Sequence, residues 1–484
     1  MASGSAANSR GFASVRANTG IVLLCLLTAA LAFAGCDSSG PPEVPAPAET
    51  GSPPREPDLT TGADLLERLG AIGYVDGTSE PEAENGVLQV SKQAMAPGLT
   101  LYLPGGTPQA FLVDARGNLR HHWKAPFSRA FPSDPDRSDK LRKIGHWRHA
   151  EVQPDGGLVV LWHLHGLFKL DRSSNLVWSV PMFAHHDFHQ MPDGSFYVMT
   201  LGAEPLEGFE GSLYRTDSID HVDANGNRLG RISLADAMEN VGWRELRDEF
   251  WRREGARETH LRSAARQDPF HSNSIHILSE AEARRLGPPF AAGQALVSVL
   301  MLDSIVAIDL VRAETAWIQT GPFALQHHAR PTRSGQISLF NNFVGPGASS
   351  AQIIDPRTAD VVWEYAGPDG NPVFSSTSSI AEVLANGNVL IVSTNQGRIL
   401  EVTPEKEVVW EYRTPEIVST GHRANIYYAE RVPPRKLAWL VKGAAQRSAE
   451  PSPGGERLPS WKSTIAAHRS RVKRSPEVRS LSAP

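Results

Sequence analysis

The sequence has very little cysteine, and this scarcity excludes several function classes at once. Its 484 residues contain two cysteines, Cys25 and Cys36, both within the first 36 positions. The rest of the chain therefore has no disulfide framework, no cysteine metal site and no cysteine nucleophile. A long apolar run is missing too, since residues 21–33 are too few and too rich in small side chains for a membrane span.

Two chemical motifs are also absent. There is no Walker-type glycine loop, so nothing indicates a nucleotide donor, and there is no H-E-x-x-H spacing of the kind that binds zinc. The hydrophobic fraction of 40% and the charged fraction of 21% are ordinary for a globular protein. The composition therefore predicts a folded body whose chemistry comes from residues other than cysteine.

Residues 1–36 predict an export signal. A positively charged start precedes the apolar run 21–33, and residues 31–36 resemble a bacterial lipoprotein box in which Cys36 is acylated. Phe33 departs from this box, because a small aliphatic residue is common there. Lipidation predicts a lipoprotein anchored on the periplasmic side of a bacterial membrane, and the alternative is a soluble secreted or periplasmic protein.

The segments that flank the central part of the chain are poor in core-forming residues. Residues 37–94 are predicted as a flexible tether that includes a short helix near 65–69. Residues 434–484 are predicted as a disordered basic tail, with eleven Lys or Arg against three Glu from Arg435 onward. Contact of this tail with anionic lipid or cell-wall polymer is the alternative to a solvated tail.

One phrase recurs between these ends and predicts a repeated β-meander. A Gly-containing turn leads into an apolar run, a second run ends in Asp or a related residue, and a third run ends in Trp. In the clearest copy, the turn 153–157 is followed by runs at 158–161, 167–171 and 176–178. Asp-Gly and Asn-Gly favour tight hairpin turns, and the β-branched runs between them favour strands.

The number of copies predicts an all-β fold, a six-bladed β-propeller over residues 95–433. Five units lie between about 147 and 413, and a sixth begins at 99–102 and can take its missing strand from 425–429. One segment, about 234–265, breaks the pattern and is predicted as a helical insertion. Its apolar residues fall on one side at helical spacing: Trp243, Leu246, Phe250 and Trp251.

Histidines recur at one place in the repeat. His186 and His327 each precede the turn glycine of their blade by eight residues, and His149 and His271 also stand near the start of a blade. In a propeller this place is the start of the innermost strand, so equivalent positions converge on the central channel. Histidines in later strands are predicted to pack instead: His121, His122, His163 and His165.

Converging imidazoles permit two kinds of chemistry. They bind a divalent metal through neutral nitrogens, or they surround an anion and supply a nucleophile and proton donors near neutral pH. Asp187 offers a carboxylate to a metal, but no known metal-ligand spacing accompanies it. Both readings, the second of which needs no metal, stay open at this point.

Several of these phrases resemble the PAPS-independent arylsulfate sulfotransferases, within the broad bacterial group of arylsulfotransferase-like propellers. The resemblance covers roughly residues 95–433. It rests on four runs: His-His-Asp at 185–187 with Pro-Asp-Gly after it, Phe-His-Ser-Asn-Ser at 270–274, Gln-His at 326–327, and the final blade from 385 to 412.

The resemblance implies sulfuryl transfer from a phenolic sulfate ester to a phenol through a sulfated histidine. It makes His327 the nucleophile, while His186 and His271 contact the sulfuryl oxygens or protonate the leaving phenolate. The implied partners are an aromatic sulfate ester and a phenol, with no cofactor, no metal and no nucleic acid. The membrane is a further partner only through the lipid on Cys36.

One position departs from the family pattern. The family places an arginine where this sequence has Leu300, and an aliphatic side chain cannot bind a sulfate as a guanidinium does. Arg330 and Arg423 are the predicted substitutes, and His185 and His422 are assigned with them to substrate binding. The alternative is a non-catalytic ligand-binding or scaffold propeller that has lost the activity.

Overall fold

The fold is known from a computed structural model. All of the residues it describes belong to one compact unit, Asp58–Pro484. The predicted export signal, Cys36, the helix near 65–69 and the tail beyond residue 440 lie outside the described part and stay predictions. The described residues are 84–133, 146–204, 214–254, 268–345, 347–418 and 421–440.

The described residues form six antiparallel sheets, which confirms the six-bladed β-propeller. The first three blades, from inner to outer strand, are β25 (Ile426–Val432), β2 (Leu99–Pro104), β3 (Gln109–Val113) and β4 (Leu119–Lys124); β5 (Trp147–Val152), β6 (Leu158–Trp162), β7 (Gly166–Leu170) and β8 (Leu176–Pro181); and β9 (Ala184–Gln190), β10 (Phe196–Glu204), β11 (Tyr214–Val222) and β12 (Arg228–Ser233). The other three are β13 (Ser272–Ile277), β14 (Ala295–Val299), β15 (Ser304–Asp309) and β16 (Glu314–Thr320); β17 (His327–Pro331), β18 (Ile337–Gly345), β19 (Ala348–Ile354) and β20 (Val361–Tyr365); and β21 (Ile380–Val383), β22 (Val389–Ser393), β23 (Arg398–Val402) and β24 (Val408–Arg413).

The apolar runs of the repeat become strands that are covered on both faces. Every residue of β6, β14 and β22 is buried, because each blade packs between two neighbours. The turns that precede these strands contain glycines with positive φ, such as Gly156 at 86° and Gly194 at 87°. Glycine reaches this conformation without steric cost, so the tight turn fixes where the inner strand ends.

The first blade takes its inner strand from the end of the chain. β25 pairs antiparallel with β2, in a register that sets Leu99 opposite Val432 and Tyr102 opposite Ala429. This pairing confirms the predicted closure by residues 425–429. It joins the two ends of the ring and leaves no open blade.

The tryptophans at the ends of the outer strands join one blade to the next. Trp123 Nε1 donates to Gly156 O, Trp363 Nε1 donates to Pro404 O, and Trp410 Nε1 donates to Ala115 O. Each bond crosses to the following blade, as predicted from the repeat. The indole ring supplies apolar area at these contacts, and its one polar atom keeps a partner.

The structure differs from the predicted tether at one segment. Residues 86–90 form β1 (Gly86–Val90), which pairs with β24 as a fifth strand of the last blade. The outer edge of that blade would otherwise present unpaired backbone groups, and the short strand covers it. The tail also begins on the propeller, where Trp439 is buried against Gly156.

Helices are few and short. They are α1 (Phe127–Ala130), α2 (Leu234–Ala237), α3 (Trp243–Glu254) and α4 (Glu280–Leu286), with 3₁₀ turns η1 (Glu239–Val241), η2 (Leu300–Leu302) and η3 (Pro434–Leu437). The predicted insertion is helical as far as residue 254, and 255–267 are outside the described part. Within the described ranges no helix is long and apolar enough to cross a membrane.

A buried ion pair at the closure generates a stability prediction. Arg431 on β25 donates to Glu401 on β23 at 2.7 Å, and the same carboxylate accepts from Asn388 Nδ2 at 2.8 Å. Arg431→Met leaves the Glu401 charge buried without its cation, so we expect a loss of about 3–5 kcal/mol in the free energy of unfolding. Urea denaturation measures this loss.

The control is Arg413→Met, because Arg413 is more exposed and contacts Glu411, which also has Arg398 as a partner. We expect this variant to lose less than about 1 kcal/mol. Equal losses in the two variants would contradict the assignment of the Arg431 pair to ring closure.

Candidate active site

The residue eight positions before the turn glycine lies at the start of the inner strand in three consecutive or nearby blades. These residues are Arg148 on β5, His186 on β9 and His327 on β17. The pairing register of each inner strand is interrupted at this point, between Trp147 and His149 in β5 and after His327 in β17. A bulge of this kind re-aims a side chain, and such bulges are common beside active sites.

The polar residues of two sequence motifs hold neighbouring blades together. Asn273 Nδ2 donates to Gln326 O at 2.8 Å, and Ser274 Oγ accepts from Ala329 N at 3.0 Å. Gln326 Nε2 in turn donates to Ser304 O at 2.9 Å. These bonds fix the start of β17 against β13, and so they position His327 relative to the blade that carries His271.

The His327 ring is held in one tautomer. Its Nδ1 lies 2.8 Å from Asn342 Oδ1 and 3.1 Å from Leu325 O, and both of these oxygens are acceptors. The Asn342 amide is itself oriented, because its Nδ2 donates to Ser378 O at 3.0 Å. The proton therefore lies on Nδ1, and Nε2 carries the lone pair, which accepts from Ser378 N at 3.2 Å.

The surroundings of His327 also keep it neutral. Burial and the positive charge of Arg148 lower its pKa to about 3, although the bond to Asn342 acts in the opposite direction. The side chain is only 3% exposed. At neutral pH the ring is thus an uncharged imidazole with an available lone pair on Nε2.

His186 lies between His271 and a relay to a carboxylate. Its ring centroid is 5.0 Å from that of His271, and its Nδ1 is 2.8 Å from His185 Nδ1. His185 Nε2 faces Asp217 Oδ1 at 3.6 Å, which favours the proton on that nitrogen. His185 then accepts from His186 Nδ1, and the lone pair of His186 is on Nε2. Burial and the Arg148 guanidinium hold the pKa of His186 well below its usual range.

His271 has a carboxylate partner that the sequence analysis missed. Asp268 is fully buried, and its Oδ2 lies 2.6 Å from His271 Nδ1. Asp268 Oδ1 also accepts from the His271 backbone at 2.9 Å. The carboxylate fixes the proton on Nδ1 and stabilises an imidazolium, which suits a ring that takes up and releases a proton at Nε2.

Arg148 is the second residue that the sequence analysis missed. Its Nη1 donates to Ser378 Oγ at 2.8 Å, and its guanidinium lies over the Tyr427 ring, 5.2 Å from the centroid. Its charge acts on both His186 and His327. A signal was present, since Arg148 precedes Gly156 by the same eight residues that separate His327 from Gly335.

Other histidines of the channel wall serve its structure or border the site. His149 Nδ1 lies 2.5 Å from Asp187 Oδ1, so Asp187 is occupied by protein partners. His163, predicted to pack, has its ring centroid 5.5 Å from that of His186. Within the described residues no group of three His, Cys, Asp or Glu is placed to hold a metal ion.

The two arginines predicted to replace the family arginine have other contacts. Arg330 Nη2 donates to Asp187 Oδ2 at 2.6 Å, and Arg423 Nη1 donates to Thr414 O. His422, beside Arg423, is exposed on the connection between β24 and β25. Leu300 itself is 7% exposed and packs with Phe250 of the insertion and with Met301.

The backbone around these side chains is strained. Six residues other than glycine have positive φ here: His186, His271, Leu325, His328, Ser378 and Ser379, at 43–84°. Each such conformation costs on the order of 1–3 kcal/mol, and it persists only where the surrounding structure enforces it. Strain of this kind is concentrated at functional sites, so the backbone marks the same place as the histidines.

Comparisons with known proteins follow the same lines. The family model described as Arylsulfotransferase (ASST) matches residues 149–415. No curated protein sequence matches this chain significantly. Among solved structures, a protein of unknown function from Bacteroides caccae has 11% identity and a TM-score of 0.43, and covers 66% of this chain and 94% of its own. Virginiamycin B lyase from Staphylococcus aureus has 9% identity and a TM-score of 0.36, and covers 70% of this chain and 87% of its own.

The protonation of His327 generates a pH prediction. Because its pKa is about 3, lowering the pH from 7 to 5 leaves the ring neutral, with the proton on Nδ1. We expect the ¹⁵N shifts of labelled histidines to show one ring in this state at pH 5, and the His327→Gln variant identifies its signal. A His327 signal that titrates near pH 6.5, or that carries its proton on Nε2, would contradict the arrangement.

Proposed function

Since this chain belongs to the arylsulfotransferase family, we propose that it transfers a sulfuryl group from a phenolic sulfate ester to a phenol through a sulfated His327. The observation that carries the proposal is the state of His327. Its proton lies on Nδ1, held by Asn342, and its Nε2 lone pair is free of protonation at neutral pH. A neutral imidazole nitrogen of this kind is a competent nucleophile.

In the first step, the Nε2 lone pair of His327 attacks sulfur, and the bond between sulfur and the aryl oxygen breaks. The leaving oxygen takes the electron pair and a proton, which gives the free phenol. The ring now carries the positive charge, and Asn342 Oδ1 and Leu325 O, 2.8 and 3.1 Å from Nδ1, stabilise it. The Ser378 N–H that faces Nε2 is then beside the sulfuryl oxygens, where a backbone donor stabilises negative charge.

In the second step, the acceptor phenol loses its proton, and its oxygen attacks the same sulfur. The bond between Nε2 and sulfur breaks, and His327 regains its lone pair. Two neighbouring imidazoles can handle the protons. His271, paired with Asp268, is suited to protonate the leaving phenolate, and neutral His186 is suited to receive the proton of the acceptor.

Removing the nucleophile tests this function. His327→Ala should lower the rate of transfer from 4-nitrophenyl sulfate to phenol at least about a thousandfold, because no other group forms the covalent intermediate. Wild-type protein treated with the donor alone should gain an acid-labile sulfuryl group on His327, detected by mass spectrometry.

The matched control is His122→Gln, on outer strand β4, where the ring bonds to Gln109. It should retain wild-type transfer. If the wild type forms no labelled His327 and releases no phenolate, the transfer proposal fails, and the chain is a ligand-binding propeller.

The role of His271 has its own test, based on leaving groups. His271→Gln should lower transfer from phenyl sulfate by about a hundredfold, since that leaving group needs a proton. The loss should be much smaller for 4-nitrophenyl sulfate, whose phenolate leaves readily without one. Asp268→Asn should reproduce the same dependence in weaker form. Equal losses with both donors would exclude His271 as the acid.

A further inference from the structure

We propose that Arg148 is the cation that binds the sulfuryl group in this protein. The resemblance to the family assigns that role to an arginine in the blade that follows the His-x-Asn-Ser motif, where this chain has Leu300. The guanidinium instead comes from the inner strand of another blade. This inference rests on the proposed function, because it names the residue that recognises the group to be transferred.

The position of Arg148 in the repeat is the first support. It occupies the place in β5 that His186 occupies in β9 and His327 in β17, eight residues before the turn glycine. Equivalent positions on inner strands converge on the channel, so a cation here faces the same point as the two imidazoles. Position 148 is thus one of a set that already supplies the nucleophile.

The contacts of Arg148 are the second support. Its Nη1 bonds to the Ser378 hydroxyl at 2.8 Å, and the backbone N–H of that same serine bonds to His327 Nε2 at 3.2 Å. One residue therefore separates the guanidinium from the nitrogen that attacks sulfur. The side chain is 5% exposed and lies over the Tyr427 ring, so its charge is screened little by water.

The surroundings of the alternative positions are the third support. Leu300 packs with Phe250 of helix α3 and with Met301, an apolar contact that has no place for a cation. The Arg330 guanidinium is committed to the Asp187 carboxylate at 2.6 Å. The Arg423 guanidinium bonds to a carbonyl between β24 and β25. By contrast, Arg148 meets the Ser378 loop that contacts His327.

The chemical consequence is stabilisation of charge on the sulfuryl oxygens. A guanidinium binds two oxygens of a sulfate through parallel charge-assisted bonds, and it strengthens as negative charge develops in the transition state. It also repels a proton from His327 and His186, which keeps both imidazoles neutral. The same residue therefore serves substrate recognition and the state of the nucleophile.

Arg148→Met and Arg148→Lys test the proposal on the full chain. Removing the cation should lower kcat/KM for 4-nitrophenyl sulfate by about a hundredfold or more, and lysine, which cannot bind two oxygens in parallel, by about tenfold. The KM for the acceptor phenol should change little. Arg312→Met, on an exposed outer turn, is the matched control and should behave as wild type.

Two further readouts separate binding from mere structural support. Inorganic sulfate should bind the resting Arg148→Met variant at least about tenfold more weakly than the wild type by calorimetry. The pKa of His327, followed by ¹⁵N shifts, should rise in that variant because the cation beside the ring is gone. Arg148→Lys keeps the positive charge, and should leave the pKa closer to that of the wild type.

The outcomes distinguish the two proposals. If Arg148→Met and Arg148→Lys both fold, bind sulfate as the wild type does and leave the His327 titration unmoved, the assignment of Arg148 is wrong even where transfer occurs. If the wild type shows no transfer but its sulfate binding depends on Arg148, the proposed function fails and the anion site stands. Should Arg148→Met not fold, Arg148→Lys decides by the same sulfate measurement.

Discussion

The carboxylate of Asp187 ties the inner strands of four blades together, and the geometry of the site depends on it. One oxygen meets His149 on β5, and the other accepts from Ile275 N on β13 and from Arg330 on β17. Burial raises the pKa of Asp187, but Arg330 and His149 outweigh it and hold the pKa far below the usual range. The group is therefore an anion whose partners come from three other blades, and losing any one would leave a buried charge short of compensation.

This tie explains why repeat position translates into spatial position. Blades in a ring can tilt or slide against each other, and only fixed inner strands bring equivalent residues to one level. Asn273, Ser274 and Gln326 add bonds between β13 and β17 in the same place. With the strands fixed, the residue that precedes each turn glycine by eight positions reaches a common point. The strained backbone at His186 and Ser378 is held by the same network.

The sequence predicted what depends on periodicity. The six blades, the closing strand β25 and the start of β17 at His327 all follow from regular spacing of turns and apolar runs. The partners Asp268 and Asn342 could not be found in this way, because their contacts arise from loop and strand geometry, with no repeat to mark them. Arg148 carried the right spacing, but a search for histidines passes over an arginine at the same position. Strand β1 was missed because five residues that cover an edge have too weak a pattern of their own.

The low basicity of His327 is a consequence of the same burial, and it bears on the order of events. Burial and Arg148 outweigh the bond to Asn342, so the pKa falls to about 3. At neutral pH, protonated His327 is then on the order of one molecule in ten thousand, since each pKa unit is a factor of ten. A weakly basic nitrogen attacks less readily than a strongly basic one, but it also leaves more readily. The bond between Nε2 and sulfur is thus poised to break in the second step, and an environment that lowers basicity favours an intermediate that passes its sulfuryl group on.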